Sequence, residues 1–279
     1  MIMKKNLVVI ALVFATCMAY SQEQVLLKYA FVKGKTYVQQ TELKQNITQS
    51  MGGQEMKMQV DLSSANQFVV ENVLNDGNAA MLVSLMNASV HSSGMGKDTT
   101  MKFNDLKNKS RMVFSPDGKT VSTTKIDSTD VVGMMGTLDQ FAKLTSLPGK
   151  AVKIGEKWQD KTVENRNASS GNPFDAEVTS NTEYTLVGKE SKDGKEYYKI
   201  AFKGTIAING SGSQMGMEMF LEGTGAVEGF NYFDPKTTMI VYAEGTTEMD
   251  MNISISGQQN MTIPMTQRMT TVIKFEEKK

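Results

Sequence analysis

Long stretches of this sequence alternate apolar and polar residues with a period of two, and that alternation limits the fold more than any other feature. Between Glu55 and Leu62, every second side chain is apolar and those between are polar, as expected for a strand with one buried face. The apolar members are Met56, Met58, Val60 and Leu62. The pattern predicts a mainly β protein with a long, strongly curved antiparallel sheet, two such sheets, or an open half-barrel.

Turn sequences separate these alternating runs at the intervals that an antiparallel meander requires. Most carry glycine, which adopts a positive φ at little cost. The predicted turns are Gly52-Gly53, Asn75-Asp76-Gly77-Asn78, Ser115-Pro116-Asp117-Gly118, Asp193-Gly194 and Asp234-Pro235. Two further glycine-rich stretches, Gly210-Ser211-Gly212 and Gly223-Thr224-Gly225, are typical of bends or bulges within long strands.

One segment departs from the alternation. Between Asp127 and Leu147 the apolar residues recur at helical spacing, and Pro148-Gly149 follows as a stop signal. The pattern predicts one central amphipathic helix over residues 127–147. We expect an N-terminal β half over residues 22–126 and a C-terminal β half over residues 148–279, with one continuous domain over 22–279 as the alternative.

The first 21 residues have the pattern of a signal peptide. Lys4 and Lys5 precede the apolar run Leu7–Ala15. In Ala19-Tyr20-Ser21, the small residues Ala19 and Ser21 occupy the two positions that signal peptidase recognises before a cleavage site. We therefore expect cleavage before Gln22 and a periplasmic or secreted product. No later apolar run reaches the roughly 20 residues of a membrane-spanning helix.

The single cysteine, Cys17, lies inside this predicted signal. Lipid attachment at Cys17 is the alternative to cleavage before Gln22, but Phe14-Ala15-Thr16 lacks the small residue and the leucine that such a signal carries. Removal of residues 1–21 leaves a chain without a thiol. It also removes two of the 30 basic residues and none of the 30 acidic ones, so the remaining chain has a formal charge of −2. Without a basic cluster, nucleic acid is not an expected partner.

Methionine is unusually frequent: the chain has 22, of which nineteen follow residue 21. Met-x-Met spacing on a strand places the thioethers on one face, and methionine adapts to ligands of many shapes. We therefore predict that an apolar small molecule or lipid binds this face. The candidate ligand-binding residues are Met56, Met58, Met215, Met217, Met219, Met249 and Met251. A soft-metal site for Cu(I) or Ag(I) is a weaker alternative, and no metal ligand is assigned.

No catalytic constellation stands out. His91 is the only histidine, so a serine or cysteine nucleophile could use no other imidazole. Ser122-Thr123-Thr124-Lys125 matches a Ser-x-x-Lys pattern, but on the predicted strand those two side chains would point to opposite faces. We expect a non-catalytic protein without a cofactor.

The stretch from Leu147 to Trp158, with the sequence Leu-Pro-Gly-Lys-Ala-Val-Lys-Ile-Gly-Glu-Lys-Trp, resembles a signature of an uncharacterised secreted family common in Bacteroidota, a domain of unknown function. Glu156 stands where that signature has aspartate. Similar stretches are Leu27–Tyr29, Lys33–Tyr37, Gly223–Gly225 and Phe233-Asp234. The resemblance implies an exported protein and no particular reaction. Gly155 and Trp158 are expected to anchor the return of the chain from the helix to the sheet.

A looser analogy, at the level of architecture, connects the predicted sheet with folds of the lipoprotein-carrier type, in which helices close an open curved sheet around an apolar cavity. It makes binding or carriage of an apolar ligand or lipid in the cell envelope the leading functional hypothesis. The alternative is a structural or interaction module of the envelope that has no small ligand.

Overall fold

A computed structural model describes residues 23–94, 96–104, 108–127, 142–168, 174–214, 216–257 and 260–278. The described residues form fourteen strands. These are β1 (Gln24–Leu26), β2 (Thr36–Met51), β3 (Gln54–Val73), β4 (Ala79–Gly94), β5 (Lys97–Asn104), β6 (Lys109–Phe114), β7 (Thr120–Asp127), β8 (Ala151–Lys153), β9 (Lys157–Arg166), β10 (Phe174–Lys192), β11 (Lys195–Gln214), β12 (Met217–Asp234), β13 (Met239–Ser256) and β14 (Met261–Glu277).

Twelve of these strands belong to one large sheet in the order β7-β6-β4-β3-β2-β14-β13-β12-β11-β10-β9, with β5 paired to β4 beside β6. Every pairing is antiparallel, and the pairing of β14 with β2 joins strands from the two ends of the chain. The sheet is open, because β7 and β9 are not paired with each other among the described residues. The prediction of a mainly antiparallel β protein is therefore confirmed.

The predicted turns lie between strands. Gly52 and Gly53 join β2 to β3 with φ values of 61° and 81°, and Asp193 and Gly194 join β10 to β11 with 53° and 73°. A two-residue loop with both φ angles positive matches the right-handed twist of the paired strands. The other predicted turns follow β3, β6 and β12.

The helix predicted over residues 127–147 lies mostly on residues 128–141, which are outside the described residues. Both of its predicted ends are wrong. Asp127 is the last residue of β7 and pairs with Lys109, and Ala142–Leu147 carries no helix. The backbone there is held by neighbouring segments instead, since the Leu147 amide donates to the Asp117 carbonyl oxygen at 2.8 Å.

The main core lies on one face of the large sheet, which we call the core face. Phe68 on β3 is fully buried, with its ring 6.1 Å from that of Phe114 and 5.4 Å from that of Phe275. The segment before β2 covers this core: Leu27, Tyr29 and Phe31 are buried in alternation with exposed residues. The segment before β2 thus covers part of the main core.

The Leu147–Trp158 stretch anchors the chain to β10 as expected. Gly155 turns with a φ of 85°, and its amide donates to the Leu186 carbonyl oxygen at 2.7 Å. The Trp158 ring stacks on Tyr184, with 5.5 Å between ring centroids. The Lys153 amide, and then the Lys150 ammonium, lower the pKa of the half-exposed Glu156 carboxyl, so an acidic residue at this position stabilises the turn.

Candidate functional site

Residues that pair directly across neighbouring strands form rows on one face of the sheet. One row crosses six strands of the core face and carries three methionines. Its members are Met56, Gln49, Met265, Met251, Gly223 and Ile208. The Gln49 side chain also donates to the Met265 sulfur at 3.4 Å. The register therefore aligns thioethers that are up to 209 positions apart in the sequence.

Methionines from β3, β12, β13 and β14 gather at the end of the core face away from the main core. Met251 is buried with Phe174 and Leu221, and half-buried methionines pack against these three side chains. Met56 and Met58 lie in the same cross-strand rows as Met251 and Met249. We call the clustered methionines and these two together the methionine band. It consists of Met56, Met58, Met219, Met249, Met251 and Met265.

Most of the methionines singled out in the sequence thus lie on one face. Met217 shares the face and is 39% exposed. Met215 lies outside the described residues, as do the predicted signal peptide and Cys17. The sequence analysis missed Met265, which has no Met-x-Met neighbour.

Two glycines of β12 make room for the methionines of β13. Gly223 pairs with Met251 and Gly225 with Met249. A Cβ atom at Gly223 would lie 2.4 Å from the Met251 Cγ, and one at Gly225 would lie 2.7 Å from the Met249 Cγ. The interpretation of Gly223-Thr224-Gly225 as a bend or bulge is wrong, because the pairing of β12 with β13 is regular there and its register shifts only between Tyr232 and Phe233, where Val241 of β13 is left unpaired.

We expect Gly225→Ala to lower the free energy of unfolding by about 1–3 kcal/mol, the usual cost of overpacking. The added Cβ would lie 2.1 Å from the Glu248 carbonyl oxygen, and no side-chain rotation relieves an overlap with backbone. The matched control is Gly257→Ala, whose nearest neighbour would be the flexible Met217 side chain at 3.3 Å. Urea unfolding of both variants measures the difference, and equal losses would contradict the close approach of β12 and β13.

A cavity of about 1010 Å³ opens on the core face between the main core and the methionine band. Strands β9 to β14 contribute to its walls, and residues 143–146 border it. Thr247 lines the cavity and lies two residues before Met249 on β13, a distance of about 7 Å along the strand. The cavity and the methionine band are therefore contiguous.

The most buried part of the cavity wall is polar and uncharged. Asn231 is only 2% exposed, and its side-chain Nδ2 has no hydrogen-bond partner among the described residues. Thr182 and Thr247, each 8% exposed, add hydroxyl groups. Burial, and next the charge of Asp160, raises the pKa of Tyr184 to about 12, so this phenol is neutral at physiological pH.

Charged side chains lie on the outer part of the cavity wall. Lys143 forms an ion pair with Glu164, and the Arg166 Nη2 lies 3.8 Å from the other oxygen of that carboxylate. Asp160, on the same strand as Glu164, is half-buried. The sequence of β9 already indicates a polar wall. The positions of this strand that face the core side are occupied by polar residues, namely Asp160, Thr162 and Glu164.

An aromatic cluster lies on the opposite face of the sheet, where Tyr232 pairs with Tyr242. Tyr232 donates to Glu190 and Tyr242 donates to Glu244, both at 2.7 Å. The Lys192 ammonium lies 3.5 Å from the centroid of the Tyr242 ring. Because the hydroxyl groups bond to the carboxylates and the ammonium lies over the aromatic rings, the cluster is explained by stabilisation of the sheet.

His91 is half-exposed and its Nδ1 lies 3.0 Å from the Thr100 hydroxyl on the neighbouring strand. Ser122 and Lys125 lie on strand β7, as predicted. Within the described parts of the chain, no group of three or more histidine, cysteine, aspartate or glutamate side chains is arranged to hold a metal ion. The described residues also include no helix with the length and hydrophobicity of a membrane span.

Residues 137–240 match the model of a family of unknown function (DUF6263), which confirms the predicted resemblance to a domain of unknown function. The matched range includes the Leu147–Trp158 stretch, the cavity wall at Asn231 and one methionine of the methionine band, Met219. No curated protein matches the sequence.

The chain has a remote likeness to several solved structures. The chain is similar to the COG4313 outer membrane channel from Pseudomonas putida F1, at 8% identity over 89% of this chain and 97% of that chain, with a TM-score of 0.26. A DUF1329 family protein from Desulfovibrio piger shares 10% identity over 88% and 85%, with a TM-score of 0.16. The translocator domain of the autotransporter NalP from Neisseria meningitidis shares 11% identity over 88% of this chain and 89% of that chain, with a TM-score of 0.20. Such scores carry no functional argument.

Proposed function

We propose that this protein is an exported, non-catalytic carrier that binds the hydrocarbon chain of a lipid along the methionine band. The observation that carries the proposal is the alignment of six methionines from four strands on one face of an open sheet, beside a cavity of about 1010 Å³. Five of the six side chains are only half-buried, so the band leaves apolar surface for a guest.

The dimensions of the band suit a long acyl chain. From β3 to β12 it crosses β2, β14 and β13, which at about 4.8 Å between neighbouring strands gives roughly 19 Å. Each methylene that leaves water contributes about 0.8 kcal/mol. The unbranched thioether side chains adjust to the guest, which favours loose specificity for chain length.

We expect the purified protein to bind a dansyl-labelled undecanoic acid saturably in a fluorescence titration. Met58→Gln combined with Met219→Gln should weaken this binding at least 10-fold, because two of the six side chains of the band become polar while their length stays nearly constant. The matched control, Met86→Gln, changes a methionine that is 38% exposed outside the band and should leave the affinity unchanged. Absence of saturable binding, or equal affinities for all three proteins, would overturn the proposal.

A soft-metal site is the second candidate, favoured by the packing of Met219, Met249, Met251 and Met265 in one cluster. Replacing these four residues by leucine separates the two functions, because leucine keeps the apolar surface and removes the thioethers. A carrier of acyl chains retains probe binding in the leucine variant. Cu(I) titration that saturates for the natural protein, and fails for this variant, would instead support metal binding.

A further inference from the structure

We infer that the cavity beside the methionine band receives the polar head of the bound lipid, and that this head is an uncharged group rich in hydroxyl and ester oxygens. The inference rests on the proposed function, since the chain must lie on the methionine band for its head to reach the cavity. Thr247 and Met249 provide the continuity, as the first lines the cavity and the second belongs to the band.

The first argument is the side-chain amide of Asn231. Its Nδ2 is buried without a hydrogen-bond partner among the described residues, and Asn231 lines the cavity. A buried donor without a partner is destabilising. A carbonyl or hydroxyl oxygen of a ligand would supply the missing acceptor, so the Asn231 amide is placed to bind an oxygen of the lipid head.

The second argument is the kind of groups around that amide. The other strongly buried polar side chains of the cavity, Thr182 and Thr247, carry hydroxyl groups that both donate and accept hydrogen bonds. A head with several hydroxyl and ester oxygens satisfies such a wall. A charged head would lose its hydration there without an opposite charge in contact.

The third argument is the charge distribution on the outer wall. Four cations of the described chain line the cavity. Glu164 is paired with Lys143 and lies near Arg166, and Lys119 is paired with Asp117, so three of the four already have an anionic partner; the fourth, Lys161, is exposed. Asp160 forms no ion pair within the described residues and opposes the entry of an anion. A free fatty acid is therefore a poorer ligand than its neutral glycerol ester.

Competition against the dansyl probe tests the inference with three ligands of equal chain length: a monoacylglycerol, the free fatty acid and a lysophosphatidylcholine. At pH 7.4 we expect the monoacylglycerol to displace the probe at a concentration at least 10-fold lower than either charged competitor. Asn231→Leu should weaken monoacylglycerol binding about 10-fold and leave the fatty acid unaffected. Thr247→Val is a second, nearly isosteric variant that should reduce the same preference.

The thermal midpoint of each variant shows whether it folds, and the probe affinity shows whether the methionine band is intact. Equal competition by all three ligands, or an unchanged preference in both variants, would overturn the assignment of the head while leaving acyl-chain binding in place. Failure of the probe itself to bind would overturn the carrier proposal instead. A preference for either charged ligand would show that the outer wall, and not Asn231, selects the head.

Discussion

Phe68→Ala is expected to lower the free energy of unfolding by about 3–5 kcal/mol, the usual range for removing a buried aromatic ring. Phe68 has no exposed surface, and its ring contacts Phe114 and Phe275 on strands that lie on either side of β3. Its removal therefore leaves a cavity that cannot close without moving both halves of the sheet.

Urea unfolding measures this loss, with Val121→Ala as the control. Val121 lies on the edge strand β7 and is 57% exposed, so its truncation should change stability by no more than about 0.5 kcal/mol. A loss below about 1 kcal/mol for Phe68→Ala would contradict the placement of this ring at the centre of the main core.

Gly118→Ala is expected to lower the free energy of unfolding by about 2–5 kcal/mol. The φ of 86° at Gly118 costs an alanine about 1–2 kcal/mol. In addition, a Cβ there would lie 2.5 Å from the Thr145 carbonyl oxygen and 2.8 Å from the Tyr29 Cε2, and such overpacking adds about 1–3 kcal/mol.

Gly155→Ala is the matched control for this prediction. Its φ of 85° is almost the same, and a Cβ there meets nothing within 4 Å, so we expect only the conformational loss of about 1–2 kcal/mol. The difference between the two variants isolates the contact with Thr145. Identical losses, measured by urea unfolding, would show that residues 143–146 do not pack against the turn at Gly118.

The Gly118 contact also matters for the cavity. Tyr29 donates its hydroxyl to the Thr145 carbonyl oxygen at 2.9 Å, and Gln39 donates to the Lys143 carbonyl oxygen at 3.1 Å. These bonds hold the segment that borders the cavity. Gly118→Ala should therefore weaken monoacylglycerol binding more than Gly155→Ala does, even at temperatures where both variants are folded.

Local patterns predicted the strands and turns well because their cause is local. Alternation at Met56, Met58 and Leu62 reflects the geometry of an extended chain, and the positive φ angles at Gly52 and Gly53 follow from the twist of a hairpin. Alternation also predicts that Met249 and Met251 lie on one face, without knowledge of the strands that pair with β13.

The helix prediction failed at its described ends for a related reason. Apolar spacing at Ala142 and Leu144 fits a helical face, but it fits equally a segment whose side chains reach a core at irregular intervals. Hydrogen bonds from distant residues, including the side-chain amide of Gln39, stabilise the non-helical backbone of Ala142–Leu147. Such long-range partners are not visible in a local pattern.

By itself, the sequence determined the class of structure, the positions of the hairpins and the one-sided character of the long strands, because each depends on residues close together in the chain. Only the tertiary structure decided which strands are neighbours, and hence that Met56 and Met265 share a row, that Gly223 lies beneath Met251, and that Asn231 lines a cavity. The physical reason is that strand order and register depend on hydrogen bonds and side-chain contacts between residues far apart in the chain, which local alternation leaves unspecified.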